Sequence, residues 1–231
     1  MKKVMKAVAA LMLMTAVVFA AGCKKESVSG SYEGHNYVDL GLPSGTLWAT
    51  CNVGAETATD YGDLFSWGEV STKADYTSQN YKWYKGDRKL TKYCNDPQYG
   101  FQDFTDNLTT LLSEDDAASA NWGGGWYTPT YDQWNELIQN TTQSSKKQNG
   151  VDGFLFSAAN GNTLFLPFAG ASGNDMQWGA GETGFYWSSS LWTSVPRSAW
   201  FFICHDGGSN QMDAGHGRSN GFSVRPVRST N

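Results

Sequence analysis

The sequence predicts an α+β domain built from two short helices and several short antiparallel strands, joined by long irregular loops. Three observations carry that reading. Two capped helix starts lie mid-chain, short β-rich runs crowd the C-terminal half, and 10 Trp and 26 Gly stand among few regular segments. At 40% hydrophobic the chain can fill a core, and it shows neither a heptad nor a collagenous period nor an internal repeat.

The elements follow in order. Lys2, Lys3 and Lys6 precede an apolar run, Ala7 to Ala21, that ends in Ala20-Ala21-Gly22-Cys23. A basic start, an apolar segment shorter than the roughly 20 residues that span a bilayer, and small residues at its end predict an export signal over residues 1–22. Cys23 after Ala-Gly resembles a bacterial lipobox, which implies cleavage before Cys23 and acylation of its thiol; Ala20 stands where a lipobox usually has Leu. An ordinary secretory signal is the alternative. Residues 23–34, polar and rich in Ser and Gly, read as a flexible lipid-anchored tether, and residues 35–231 as the folded domain. Without the three leader lysines, 14 basic residues face 22 acidic ones, a net of −8 that argues against a nucleic-acid partner.

Three cysteines remain, Cys51, Cys94 and Cys204. A Cys51–Cys94 bridge would close about 44 residues and contribute about 4 kcal/mol. Equally, all three suit small buried thiols, and no Cys-x-x-Cys redox or metal spacing is present.

Tyr37-Val-Asp-Leu-Gly-Leu42 and Thr46-Leu-Trp-Ala-Thr50 read as two strands around Pro43-Ser-Gly45. Ser71 to Asn107 is polar and aromatic without steady period, so an ordered, irregular excursion is expected. Ser113-Glu-Asp-Asp116 opens a short helix in a capping-box pattern, its carboxylates placed where the helix dipole favours them. Thr130-x-x-Gln133 opens a second, with Trp134, Leu137 and Ile138 spaced to face a core. Between them, Asn121-Trp-Gly-Gly-Gly-Trp126 is a glycine turn flanked by rings. Gly153–Ser157 and Thr163–Pro167 flank Asn160-Gly161, a hairpin signal. Strands are then expected at 185–188, 199–205 and 221–228.

Seven segments appear in an ordered series: Tyr37 to Ala49, Tyr61-Gly-Asp-x-Phe-x-Trp-Gly-Glu69, Asp115-Asp-Ala-Ala, Asn121-Trp-Gly-Gly, Trp126-x-x-Pro-Thr130, Tyr186-Trp-Ser-Ser-Ser190 and Gly221-x-Ser-Val-Arg-Pro-Val-Arg228. Over roughly residues 35 to 228 they resemble the Fibrobacter succinogenes major paralogous domain family, found in many envelope lipoproteins. The resemblance implies a C-type lectin-like fold, related to that of the formylglycine-generating enzyme, with first and last strands paired and binding residues in irregular segments near the C-terminus. Tyr127-Thr128 departs from the family's Arg followed by Leu or Met.

Tyr186-Trp-Ser-Ser-Ser190, a heterogeneous stretch, and then Arg218 to Arg228 also resemble the ending of variable proteins of diversity-generating retroelements. Alternation along Ala199–His205 puts Phe202 and Cys204 on one face and Phe201, Ile203 and His205 on the other. With Phe202 and Cys204 inward, the second set faces solvent, joined by Trp192, Val195, Arg197, Asn210, Gln211, Asp213 and His216 from neighbouring loops. Residues 191–217 are thus the expected ligand-binding surface, an apolar patch mixed with Arg and His. The opposite polarity, with Phe201 and Ile203 in the core, is the competing reading. Trp48, Trp67, Trp122, Trp126, Trp134 and Trp187 are expected to fill the core, and Trp178 and Trp192 to be more exposed.

Catalytic patterns find no match. His205-Asp206 and His216 lack zinc spacing and read as solvated loop contacts, and residues 206–213 lack the alternating oxygen ligands of a calcium loop. The Pro-centred and Trp-Asn-Asp signatures of calcium-dependent lectins are absent, and no phosphate loop or Gly-x-Ser-x-Gly elbow occurs. Glu114, Asp115 and Asp116 are accounted for by capping. The expectation is a non-catalytic envelope lipoprotein without cofactor or metal, binding the membrane through its anchor and a protein ligand through residues 191–217. A glycan-binding adhesin subunit, a formylglycine-generating-type enzyme and a structural envelope protein are the rivals.

Overall fold

The chain, seen in a computed structural model that describes residues 27–174, 176–208 and 210–230, is α+β and dominated by strands. The expected export signal and the acylation site at Cys23 lie outside the described residues.

β1 (Gly30–Tyr32), β2 (His35–Asp39) and β3 (Leu47–Ala49) form an antiparallel meander. Of the tether expected over 23–34, the described part, 27–34, is therefore corrected. Ser27 and Ser29 are hydrogen-bonded to Thr163, Tyr37 and Asp39, and Gly30–Tyr32 is a strand. Ser and Gly composition resembles a linker, but here the serine hydroxyls and amides are consumed by pairing. β4 (Leu64–Ser66) follows, and then the expected irregular excursion, interrupted by short 3-10 turns and one small hairpin, β5 (Tyr84–Lys85) with β6 (Lys89–Leu90).

The first helix starts later than its sequence pattern predicts. Ser113–Asp115 is a 3-10 turn without a side-chain cap, and α1 (Ala117–Trp122) is capped by Asp116. The buried Asp116 carboxylate accepts N–H groups from Ala118, Ser119 and Thr128 and the Thr128 hydroxyl, so it ties the helix start to the strand-like segment before the second helix. Burial pushes its pKa up, against those bonds. α2 (Tyr131–Asn140) has the reciprocal Thr130–Gln133 capping box and buries Trp134 and Leu137, as expected.

β7 (Thr141–Gln148) and β8 (Val151–Ala158) turn at Asn149-Gly150, where φ is 48° and 86°, the two left-handed residues that a tight hairpin needs. β9 (Thr163–Pro167) pairs with β8 around Asn160-Gly161. Then come β10 (Ala169–Gly173), β11 (Met176–Ala180), β12 (Thr183–Leu191), β13 (Ala199–His205), β14 (Gln211–Asp213), β15 (Gly221–Ser223) and β16 (Val227–Arg228). The larger sheet runs β11-β10-β15-β12-β13-β14, with β4 also on β15, and β16 returns to β3 beside the N-terminal meander.

Two cores lie on the two faces of the larger sheet. Tyr186, Phe202 and Cys204 pack with Trp134, Leu137, Phe154 and Phe156; Phe185, Trp187, Phe201 and Phe222 pack with Trp67, Tyr93 and Ala118. The tryptophans expected inside are buried, except that Trp122 is half-buried and stacked on His35. Cys51, Cys94 and Cys204 are buried, and none is bridged to another.

Candidate functional site

The residues expected to bind ligand fall into three places, and one of them leaves the surface altogether. Phe201 is 0% exposed. The alternation is as expected, with Phe202 and Cys204 in one core, but on the opposite face Phe201 is enclosed by the rings of Phe185, Trp187, Phe222 and His216, in the core that Trp67 and Tyr93 complete. The expectation that Phe201 meets solvent is corrected: a strand pattern says which side a residue takes, not what lies over that side.

The first place is the loop between β12 and β13, with Trp192, Val195 and Arg197 half-buried. Its backbone is closed on itself, since the Trp192, Val195 and Ser198 amides donate to Ser198, Trp192 and Val195 carbonyls at 3.3, 3.1 and 2.9 Å. Arg218, 0% exposed, holds it from below. Its guanidinium donates to the carbonyls of Pro196, Tyr93 and Lys92 and, through Nε, to the Tyr81 hydroxyl, and lies 4.8 Å from the Trp67 ring centre. The loop and the excursion are thus fastened to one buried cation. Arg197 lies over the Tyr99 ring at 5.3 Å.

Two residues that sequence reasoning left out complete this end. Trp200 is half-buried, 6.2 Å from Trp192 and 4.5 Å from Tyr131 in the first turn of α2. Trp200 shares the side of Phe202 and Cys204, which reads as inward, and only its position at the start of β13, past the end of the core, brings it to the surface. Three half-buried rings on three fixed supports, Tyr131, Trp200 and Trp192, therefore form a series, and Trp192 shares its loop with Arg197.

The second place is the outer part of the other sheet face. Ile203 is half-buried opposite Gln211, and Asp213 pairs with Phe201 across β14. His216, expected as a solvated loop residue, is corrected. Its ring centre is 5.6 to 6.2 Å from those of Phe201, Phe222, Phe185 and Trp178. Burial among these rings lowers its pKa, with the Asp213 charge opposing. Asp213 accepts from the Ala214 and Gly215 amides, which fixes the turn that lays His216 on the sheet. Trp178, half-buried, borders this patch.

The third place holds His205 and Asn210 at the far end of β13. The Asn210 side chain accepts the His205 amide at 3.0 Å, and His205 lines an open groove of about 710 Å³ with Lys146, Asp152, Glu182 and Thr183. Among the described residues no group of His, Cys, Asp and Glu is placed to hold a metal ion.

The acidic run 114–116 is likewise divided. Asp116 caps α1, while Asp115 is buried and bonded to Lys92 at 2.5 Å and to the Tyr93 hydroxyl at 2.7 Å. Burial raises its pKa, but Lys92, Tyr93 and Lys82 outweigh that and leave it lowered. Tyr127 bridges to Val227 through both backbone bonds, and its hydroxyl accepts from Gln133. Among the described residues, no helix is long and apolar enough to cross a membrane.

Compared with family models, curated proteins and solved structures, the chain finds no match.

Proposed function

We propose that the chain is an envelope lipoprotein of the major paralogous domain type, displaying a C-type lectin-like domain that binds a protein ligand without catalysis. The observation that carries the reading is the rigid aromatic end of the domain. Tyr131, Trp200 and Trp192 form a half-buried series of rings, and Trp192 shares with Arg197 the β12–β13 loop that Arg218 fastens. Trp, Tyr and Arg are the residues that dominate contact energies, and rings already held in place lose little freedom on association. The return of the last strand, β16, to the N-terminal sheet supports the lectin-like reading. Residues 191–217 remain the segment proposed to vary, now with Phe201 as part of its support. A genomic near-copy of this segment, differing at adenines and lying near a reverse transcriptase gene, would carry that part; a genome with neither overturns it.

The same rings favour a second reading, a glycan adhesin, because half-exposed Trp faces stack on sugars. Trp192→Ala with Trp200→Ala, offered to a panel of extracellular proteins and to a glycan array, tests both. A loss of at least about tenfold in affinity for a protein ligand, with melting unchanged, is expected. A loss confined to a glycan favours the adhesin, and unchanged binding overturns the site.

A further inference from the structure

We propose that the domain stands on the membrane in one orientation, with the β8–β9 turn toward the lipid headgroups. The proposal rests on the lipoprotein reading and follows from where the chain enters the fold. Ser27 is already fastened, its hydroxyl accepting the Thr163 amide at 2.9 Å beside the β8–β9 turn. Ser29 donates its amide to the Tyr37 carbonyl at 2.8 Å and accepts the Asp39 amide at 2.9 Å. Only Lys24, Lys25 and Glu26 separate an acylated Cys23 from that fastening.

At no more than about 3.6 Å per residue, the chain from Cys23 to Ser27 spans at most about 14 Å. A domain of this length has a radius of gyration of about 16 Å, which for a sphere means a radius of roughly 21 Å. The leash is shorter than the body it holds. The domain therefore cannot roll far enough to bring its opposite end to the lipid.

The surface at the leash suits headgroups. The turn presents Ala159, Asn160, Gly161 and Asn162, small and uncharged, with both Asn side chains donating to the Asp39 carbonyl at 2.9 and 2.8 Å. Small neutral groups meet the headgroup layer without inserting among acyl chains, while Lys24 and Lys25 draw the anchored end to anionic lipid. The Trp192–Trp200 region lies farther from the leash than the turn does: α2 runs from Tyr131, which meets Trp200, to β7, whose Thr141 pairs with Ala158 beside the turn, and its 10 residues span about 15 Å.

The test uses the full acylated chain on phosphatidylethanolamine–phosphatidylglycerol vesicles that carry a nitroxide headgroup quencher. Fluorophores are attached through Ala159→Cys or Ser194→Cys, both exposed positions, while Cys51, Cys94 and Cys204 are buried. The label at 159 is expected to be quenched several-fold more than the label at 194. A flexible insert of about 15 residues after Lys25 should level the two. Equal or reversed quenching in the uninserted, vesicle-bound chain overturns the orientation alone. A chain that stays off the vesicles, or that binds equally well as Cys23→Ser, overturns the lipoprotein reading and the orientation with it.

Discussion

β13 separates two cores that are closed by different means. Over Phe202 and Cys204 the cover is regular: α2 lays Trp134 on Phe202, 5.0 Å apart and 14° from parallel, and β8 adds Phe154 and Phe156. On the face of Phe201, beyond the rings of Phe185, Trp187 and Phe222, the cover is a chain with hardly any secondary structure. Its apolar rings fill space as well as a helix would, but its backbone has no ladder, so side chains must satisfy the polar groups singly. Arg218 takes three carbonyls, and the Asp106 carboxylate accepts the amides of Tyr93, Cys94 and Leu108. An irregular cover is as dry as a regular one, at the cost of buried polar residues that cannot be exchanged for apolar ones singly.

Trp134→Ala gives the largest expected effect, because it opens a cavity against Phe202, Tyr186 and Trp48: about 3–5 kcal/mol, seen as one cooperative shift in denaturant unfolding. If the two cores are a single unit, both melt together; two transitions would show that the covers are independent. Arg218→Lys comes next, at about 2–3 kcal/mol, since one ammonium cannot reach the acceptors that the guanidinium fork serves. Its distinguishing mark is local. Amide exchange should rise first in 78–107 and 192–198, and a uniform rise would remove the special role of that arginine.

The smallest effect concerns pH. The folded state holds His216 neutral below the usual imidazole pKa, whereas the unfolded chain takes up a proton near pH 6.5. The stabilisation is therefore complete above that pH and declines as pH falls from it through the folded value. Half-burial and solvent screening keep the change under about 1 kcal/mol. His216→Gln should flatten the decline in melting temperature between neutral and mildly acid pH, leaving a remainder from His35, whose pKa burial also lowers. An unaltered slope would mean that His216 is solvated after all.

Local signals were readable from the sequence and long-range cover was not. The Thr130–Gln133 capping box and the Asn160-Gly161 hairpin are each written within a few residues, and both are present as expected. Asn149-Gly150 is the same kind of signal and predicts the β7–β8 turn equally well, but its flanks are polar Ser, Gln and Lys without alternation of hydrophobicity. Ser113 loses the helix cap to Asp116 because Thr128, twelve residues on, completes the carboxylate's bonds. Phe201 was misplaced for the same reason at larger scale. The rings that enclose it stand on β12, on β15 and on the turn before β15, and alternation within β13 says nothing of where those elements lie.

The unbridged cysteines have a practical meaning. Burial raises the pKa of both the Cys204 and Cys94 thiols, which leaves them poor nucleophiles in the native state. Cys204 sits in the helix-covered core, and Cys94, also buried, follows Tyr93 of the loop-held one. Each is an internal clock, and the rate at which an alkylating reagent captures it times the breathing of its own side of the sheet.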